Sequence, residues 1–220
     1  MTGAIFDMDG TLIDSLGYFD HLWGDMGKKF IGDPTFFPGV EEDRHARTML
    51  LRDSMYEIQE KFGLARDGDE LHRFADQALQ NHYKNVVELK PYARELLDYL
   101  RSIGVKMCIA SATEPRLIHF ALEKCGIEDY FDAIISCADV GCGKESPAVF
   151  YRALEVLGTE KDDTVVFEDS LVAIRTATDA GFHTVSIYDP HNFGQDEIKM
   201  RSDIYIGEGE TFEKVIGKFD

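Results

Sequence analysis

An α/β fold with helices on both faces of its sheet, interrupted once by an all-helical stretch, is what this sequence predicts. Three observations carry that expectation. Short apolar runs of strand propensity recur at residues 4–6, 105–110, 131–136 and 164–167. Each leads into small, hydroxyl or charged residues of the kind that collect ligands at the carboxyl edge of an open α/β sheet. Between residues 15 and 89 the apolar spacing becomes helical, through Tyr18 and Leu22, then Met49, Leu50, Met55, Ile58 and Phe62, then Leu71, Phe74, Ala75, Ala78, Leu79 and Tyr83. The segment from Gly32 to Gly39, with Pro34 and Pro38, reads as a loop within that stretch.

The first run, Ala4-Ile5-Phe6, ends in Asp7-Met8-Asp9-Gly10-Thr11. Side chains at i and i+2 share a face of an extended chain, so Asp7 and Asp9 reach one spot as a nucleophile and an acid or metal ligand. Gly10 lets the backbone turn sharply behind them. An EF-hand loop also opens Asp-x-Asp, but it needs Gly and Glu where this chain has Leu12 and Tyr18, which excludes that mode of calcium binding. On this segment alone, a turn in which Asp9 caps local amides remains an alternative.

The second run, Val105 to Ala110, ends at Ser111-Ala112-Thr113 before a helix opened by Pro115. Small hydroxyl residues backed by free helix-start amides form an anion site; Thr113 as a plain N-cap is the competing reading. The third leads into Gly141-Cys142-Gly143-Lys144-Glu145-Ser146-Pro147, with Lys144 in a tight loop and Ser146 and Pro147 as helix-start signals. This is no Walker loop, since Glu145 stands where Ser or Thr is required. The fourth, Thr164 to Phe167, ends in Glu168-Asp169-Ser170. Capping of the helix from Leu171 to Ala180 would account for one of those acids but not both.

The order Asp-x-Asp, Ser, Lys, Glu-Asp on four successive strand ends resembles the haloacid dehalogenase-like hydrolase superfamily, most closely the branch of β-phosphoglucomutase and small sugar-phosphate phosphatases. The resemblance implies a doubly wound, parallel-sheet, Rossmann-like core from residues 1–14 and 90–220, with the Asp7 strand central and strands at 183–187 and 204–206 extending one edge. Residues 15–89 would form an inserted helical cap that shields the site and selects the leaving group. The resemblance further implies Asp7 as the nucleophile that forms an aspartyl-phosphate and Asp9 as general acid, then general base. Ser111, Ala112 and Lys144 would bind the phosphate. Mg²⁺ would be held by Asp7, the backbone carbonyl of Asp9, Asp169 and Glu168. A carboxylate attacking an anionic ester needs such neutralisation.

Departures from the pattern are specific. The loop usually written Gly-Lys-Pro-x-Pro reads Gly143-Lys144-Glu145-Ser146-Pro147, and Lys90-Pro91-Tyr92-Ala93 lacks the usual Pro-Gly. The histidine that follows the second aspartate by ten residues in β-phosphoglucomutase is here Phe19, with His21 two residues on. The expected activity is therefore a Mg²⁺-dependent phosphatase of a small phosphorylated metabolite, with a phosphosugar mutase or a non-catalytic scaffold as alternatives. Arg44, His45, Arg47, Tyr83 and Lys84 are conceivable substrate contacts, each with an ordinary surface role as its competing reading.

A net charge of −18 argues against nucleic acid or anionic membrane as partner. No apolar run approaches the roughly 20 residues that span a bilayer, and the first residues show no signal-peptide pattern, so a cytoplasmic protein, monomeric or weakly dimeric, is expected. Cys108, Cys125, Cys137 and Cys142 follow no Cys-x-x-Cys spacing and are expected to be reduced and largely buried.

Overall fold

Four apolar residues give β1 (Gly3–Phe6), and after a tight turn the chain forms the two-residue β2 (Ile13–Asp14). Helices α1 (Gly17–Phe30), α2 (Val40–Ala46), α3 (Leu51–Phe62) and α4 (Gly68–Asn85) follow, and β3 (Glu88–Leu89) returns antiparallel to β2. Then come α5 (Ala93–Ser102), β4 (Lys106–Ser111), α6 (Pro115–Cys125), β5 (Ala133–Ser136), α7 (Cys137–Val140), α8 (Ala148–Leu157), β6 (Thr164–Glu168), α9 (Leu171–Asp179), β7 (His183–Ile187), α10 (Gln195–Arg201) and β8 (Ile204–Ile206). This computed structural model describes residues 1–47 and 49–219. No helix among them is long and apolar enough to cross a membrane.

The chain divides into two units, Met1–Asp14 with Val87–Asp220, and Ser15–Val86. The helical unit stops at Val86 rather than at residue 89, because Leu89 and Glu88 pair with Ile13 and Asp14 and so belong to the sheet-bearing unit. In that unit six parallel strands run in the order β5-β4-β1-β6-β7-β8. From β1 the chain builds outward on one side through β4 and β5, then crosses to β6 on the other side. The carboxyl end of β1 is therefore the topological switch point, where an open sheet leaves a crevice.

Alternation along β1 and β6 divides the core. Ile5 and Val166 pack into a cluster with Val149, Phe150 and Ala153 of α8 and Ala173 and Ala177 of α9. On the opposite face Phe6 stacks on its register partner Phe167, ring centroids 4.3 Å apart. Full burial of these side chains, each worth roughly 1.5–3 kcal/mol, fixes the strand register and with it every residue at the strand ends.

The helical unit is closed by its own contacts. Asp67 caps α4 by accepting from Glu70 N at 2.8 Å, and Gly63 ends α3 in the left-handed region. Trp23, fully buried, donates its indole N–H to Asp43 at 2.7 Å, and Phe36 meets Phe62 edge to face.

Tyr92 is the one described non-glycine residue with a positive φ, at 63°, where the chain turns from Pro91 into α5. It occupies the place of the glycine missing from the usual Pro-Gly. A side chain in this region costs about 1 kcal/mol or more, and Tyr92 is 42% exposed, so packing returns little of it. Tyr92→Gly is expected to raise stability by up to about 1 kcal/mol in urea unfolding, net of glycine's larger unfolded-state entropy. A loss of that size instead would show that ring packing outweighs the backbone strain.

Candidate active site

The switch point places the strand ends around one carboxylate. Asp7 leaves β1 with its N–H bonded to Phe167 O at 2.9 Å, flanked by the end of β4 at Ser111 and the end of β6 at Glu168. Beyond it the chain folds back at once. Met8 O accepts from Leu12 N at 2.9 Å and Ile13 N at 3.1 Å, and Gly10 N donates to Ile13 O at 3.0 Å with φ 75°. That turn holds Asp9 beside Asp7 and sends Thr11 inward.

Lys144, nearly buried, is a cation bonded directly to this cluster. Its Nζ lies 2.7 Å from Asp7 Oδ1 and also donates to Glu168 Oε1. Burial works against its charge, but Asp7 and Glu168 outweigh burial and hold the ammonium above its ordinary range. Glu168 is fully buried, and its second oxygen accepts from Asp169 N and Ser170 N, each at 2.9 Å. The side chain thus braces Lys144 on one side and the start of α9 on the other.

Asp169 Oδ1 accepts from the buried Thr11 hydroxyl at 2.8 Å, and Oδ2 accepts from Asn192 Nδ2. Burial, then the charges of Glu168 and Asp7, raise its pKa well above the carboxylate range. Asp7 is pushed up to about 7, chiefly by burial, with Lys144 opposing and Glu168 and Asp9 reinforcing the shift.

Thr113 is not the helix cap that the sequence allowed. Glu114 occupies the N-cap position of α6, and the Thr113 hydroxyl donates to Asp9 Oδ2 at 2.7 Å. The residue is locked at both ends of its backbone: its N–H reaches Ser111 Oγ at 3.1 Å, and its carbonyl accepts from Ser136 Oγ at 2.9 Å. Ser111 is buried at the end of β4 and Ala112 follows it exposed. Three successive strand ends, β5, β4 and β1, thereby aim one carboxyl group.

The structure brings together Asp7, Lys144, Glu168 and Asp169 and joins Asp9 to the loop after Ser111. Thr11, Thr113 and Asn192 join them without having been assigned from sequence; Thr11 lies inside the Asp-x-Asp-Gly-Thr motif, which was its signal, whereas Asn192 carries none. Within the helical unit, Arg47 is spent on internal contacts with Asp20, Asp43 and the Leu16 carbonyl, and its guanidinium lies 5.1 Å over the Phe19 ring. Tyr83 is buried, and His45 pairs with Glu57 at 3.1 Å. All four cysteines are free. Burial raises the Cys108 thiol and pushes Cys137 up to about 11, so neither is a thiolate at neutral pH.

Asp7, Glu168 and Asp169 present carboxylate oxygens within 4.8 Å of one another, the one such grouping among the described residues. Three buried acids around a single ammonium leave an excess of negative charge, and hard oxygen donors suit Mg²⁺. The donor set therefore fits the ion that the sequence implied. A consequence follows for the metal-free protein. Asp7 titrates near 7 when folded against 3.8 unfolded, so between those values the folded state binds a proton that the unfolded state lacks. Stability then falls as pH rises through this window and levels off above it. In EDTA, wild type is expected to lose on the order of a few kcal/mol relative to Asp7→Asn between pH 5 and 8. Parallel pH profiles of Tm would contradict this.

Comparison with known proteins agrees with the geometry. The haloacid dehalogenase-like hydrolase family matches residues 1–181. The chain is 26% identical over 187 residues to a phosphorylated carbohydrates phosphatase of Thermotoga maritima, covering 84% of each. It is 25% identical over 191 residues to the fructose-1-phosphate phosphatase of Escherichia coli, covering 84% of this chain and 95% of that one. A crystal structure of β-phosphoglucomutase from Clostridium difficile superposes with a TM-score of 0.76 at 18% identity, covering 100% of this chain and 95% of that one, a likeness of fold. With the match spanning β1, β4, β5 and β6 and every strand end that builds the acidic cluster, the chain belongs to the haloacid dehalogenase-like hydrolase family.

Proposed function

We propose that the protein is a Mg²⁺-dependent phosphatase of small phosphorylated carbohydrates, working through an aspartyl-phosphate on Asp7. The observation that carries this reading is the gathering of Asp7, Glu168 and Asp169 around Lys144 at the sheet's switch point. The two phosphatases to which the chain is similar support the substrate class.

In this reading the phosphate sits against Lys144 and the Ser111-Ala112 turn, where the ammonium offsets its charge. An Asp7 oxygen attacks phosphorus in line; the new P–O bond forms as the bond to the substrate oxygen breaks, and Asp9 gives that oxygen its proton. Asp9 then removes a proton from water, whose oxygen attacks phosphorus and returns Asp7 as a carboxylate with release of inorganic phosphate. Thr113 keeps the Asp9 carboxyl at one angle through both halves of the cycle. Asp7, the Asp9 carbonyl and Asp169 would hold Mg²⁺, with Glu168 contributing directly or through water. The ion would neutralise charge between nucleophile and phosphate.

Phe19 supports the hydrolytic reading. It is the position of the β-phosphoglucomutase histidine, and its ring lies under Arg47 and offers no proton-transfer group.

Phosphate release from a panel of sugar phosphates with Mg²⁺ is the direct test. Activity is expected to vanish in EDTA and to fall about a thousandfold or more in Asp7→Asn. β-Glucose 1-phosphate with a trace of bisphosphate yielding glucose 6-phosphate, and no free phosphate, would replace this reading with the mutase. Thr113→Val is expected to lower kcat about ten- to hundredfold with KM little changed, because it loosens the acid without touching the phosphate. An equal loss in KM would place Thr113 on the substrate instead.

A further inference from the structure

Asp169 is held from outside the acidic cluster as well as from within it. Its Oδ2 accepts from Asn192 Nδ2, and the same amide reaches the Asp169 carbonyl at 3.3 Å. Asn192 lies in the turn between β7 and α10, and Asp189 fastens that turn. The Asp189 carbonyl accepts from Asn192 N at 3.1 Å and from Gln195 Nε2 at 3.1 Å, and its Oδ1 accepts from His191 N at 2.9 Å. The remaining oxygen, Oδ2, lies 2.8 Å from Lys90 Nζ in an ion pair whose side chains are 9% and 1% exposed. Lys90 is tied in turn: its Nζ donates to Tyr188 O at 3.2 Å and its backbone N–H to Leu12 O at 2.9 Å.

Such a pair is a poor device for stability, since desolvating both charges offsets most of their attraction. Its value lies in fixing geometry, because every oxygen of Asp189 has a defined partner and the turn has one position. The chemistry at Asp169 is suited to a cation ligand. A neutral hydroxyl on one oxygen and a neutral amide on the other fix the plane of the carboxylate, yet neither brings a positive charge that would compete with an incoming ion. Besides Lys144, Lys90 places a positive charge within reach of Asp169, and Asp189 balances it.

We propose that Asn192, anchored by the Lys90–Asp189 ion pair, is the positioning residue that fixes the Asp169 carboxylate and so sets the divalent-cation affinity of the centre. This rests on the reading of Asp7, Glu168 and Asp169 as the Mg²⁺ site. Partners of this kind behind a metal ligand typically contribute ten- to a hundredfold in affinity. The anchor adds a second expectation: removing the Asp189 charge leaves the Lys90 ammonium unbalanced beside the site, which repels the ion.

The experiment is a Mg²⁺ titration of the EDTA-treated full chain followed by thermal unfolding, where the rise in Tm with concentration gives the dissociation constant. Asn192→Ala is expected to raise the Mg²⁺ Kd about ten- to hundredfold, with the metal-free Tm within a few degrees of wild type. At saturating Mg²⁺, kcat should be largely restored. Asp189→Asn, an isosteric change, is expected to raise the Kd in the same direction. A Kd within about twofold of wild type in Asn192→Ala overturns the inference while leaving the Mg²⁺ site standing. Absence of any Mg²⁺-dependent rise in wild type overturns both.

Discussion

One ammonium among buried carboxylates is the constraint on which the rest of this structure depends. Lys144 touches Asp7 and Glu168, and Asp169 lies against the same cluster. Burial first, and repulsion between neighbouring acids second, make these carboxyls resist ionisation and push Asp7 and Asp169 upward. The fold bears that cost through its placement of strands. β1 is central, β4 and β6 flank it, and the loop between α7 and α8 supplies the lysine, so rigid elements hold the charges where they would not assemble unaided.

What the sequence revealed of this site was what strand ends reveal. Asp7, Ser111, Lys144, Glu168 and Asp169 each follow a short apolar run, and the chemical type of each is unusual for its position. The recurrence of those runs pointed to the α/β architecture, and the central place of β1 was implied by the family resemblance that their order carries. Supporting residues were opaque for a physical reason. Thr113 and Asp9 are 104 residues apart, and Thr11 and Asp169 are 158 apart. Threonine before a helix reads locally as a cap, and only the register of β4 against β1 shows that its hydroxyl points elsewhere. Asn192, Lys90 and Asp189 are ordinary polar residues in loops, and nothing local distinguishes them from solvated ones.

The helical unit teaches the complementary lesson. Arg47 has the look of a substrate contact in a list of residues, yet its guanidinium is committed to Asp43, Asp20 and a backbone carbonyl. Exposure and charge pattern are properties of a side chain, whereas availability depends on what surrounds it. Tyr92 shows the same limit in the backbone: the sequence marks only a missing glycine, and the structure shows the tyrosine itself in the left-handed region.

The central position of β1 also bears on how the chain acquires its structure. β1 precedes both of its neighbours, pairing with β4 about a hundred residues later and with β6 about 160 later. The helices between them close mostly on one another, α3 on α4 above all, through contacts local in sequence. During synthesis that intervening unit can complete its contacts while Ala4, Ile5 and Phe6 still lack both partners. Contacts of such long range make for slow condensation, and an apolar strand left waiting is a natural client for a chaperone. The residue that would carry the phosphoryl group therefore belongs to the segment that emerges before either neighbour, and it is enclosed only after β6 arrives.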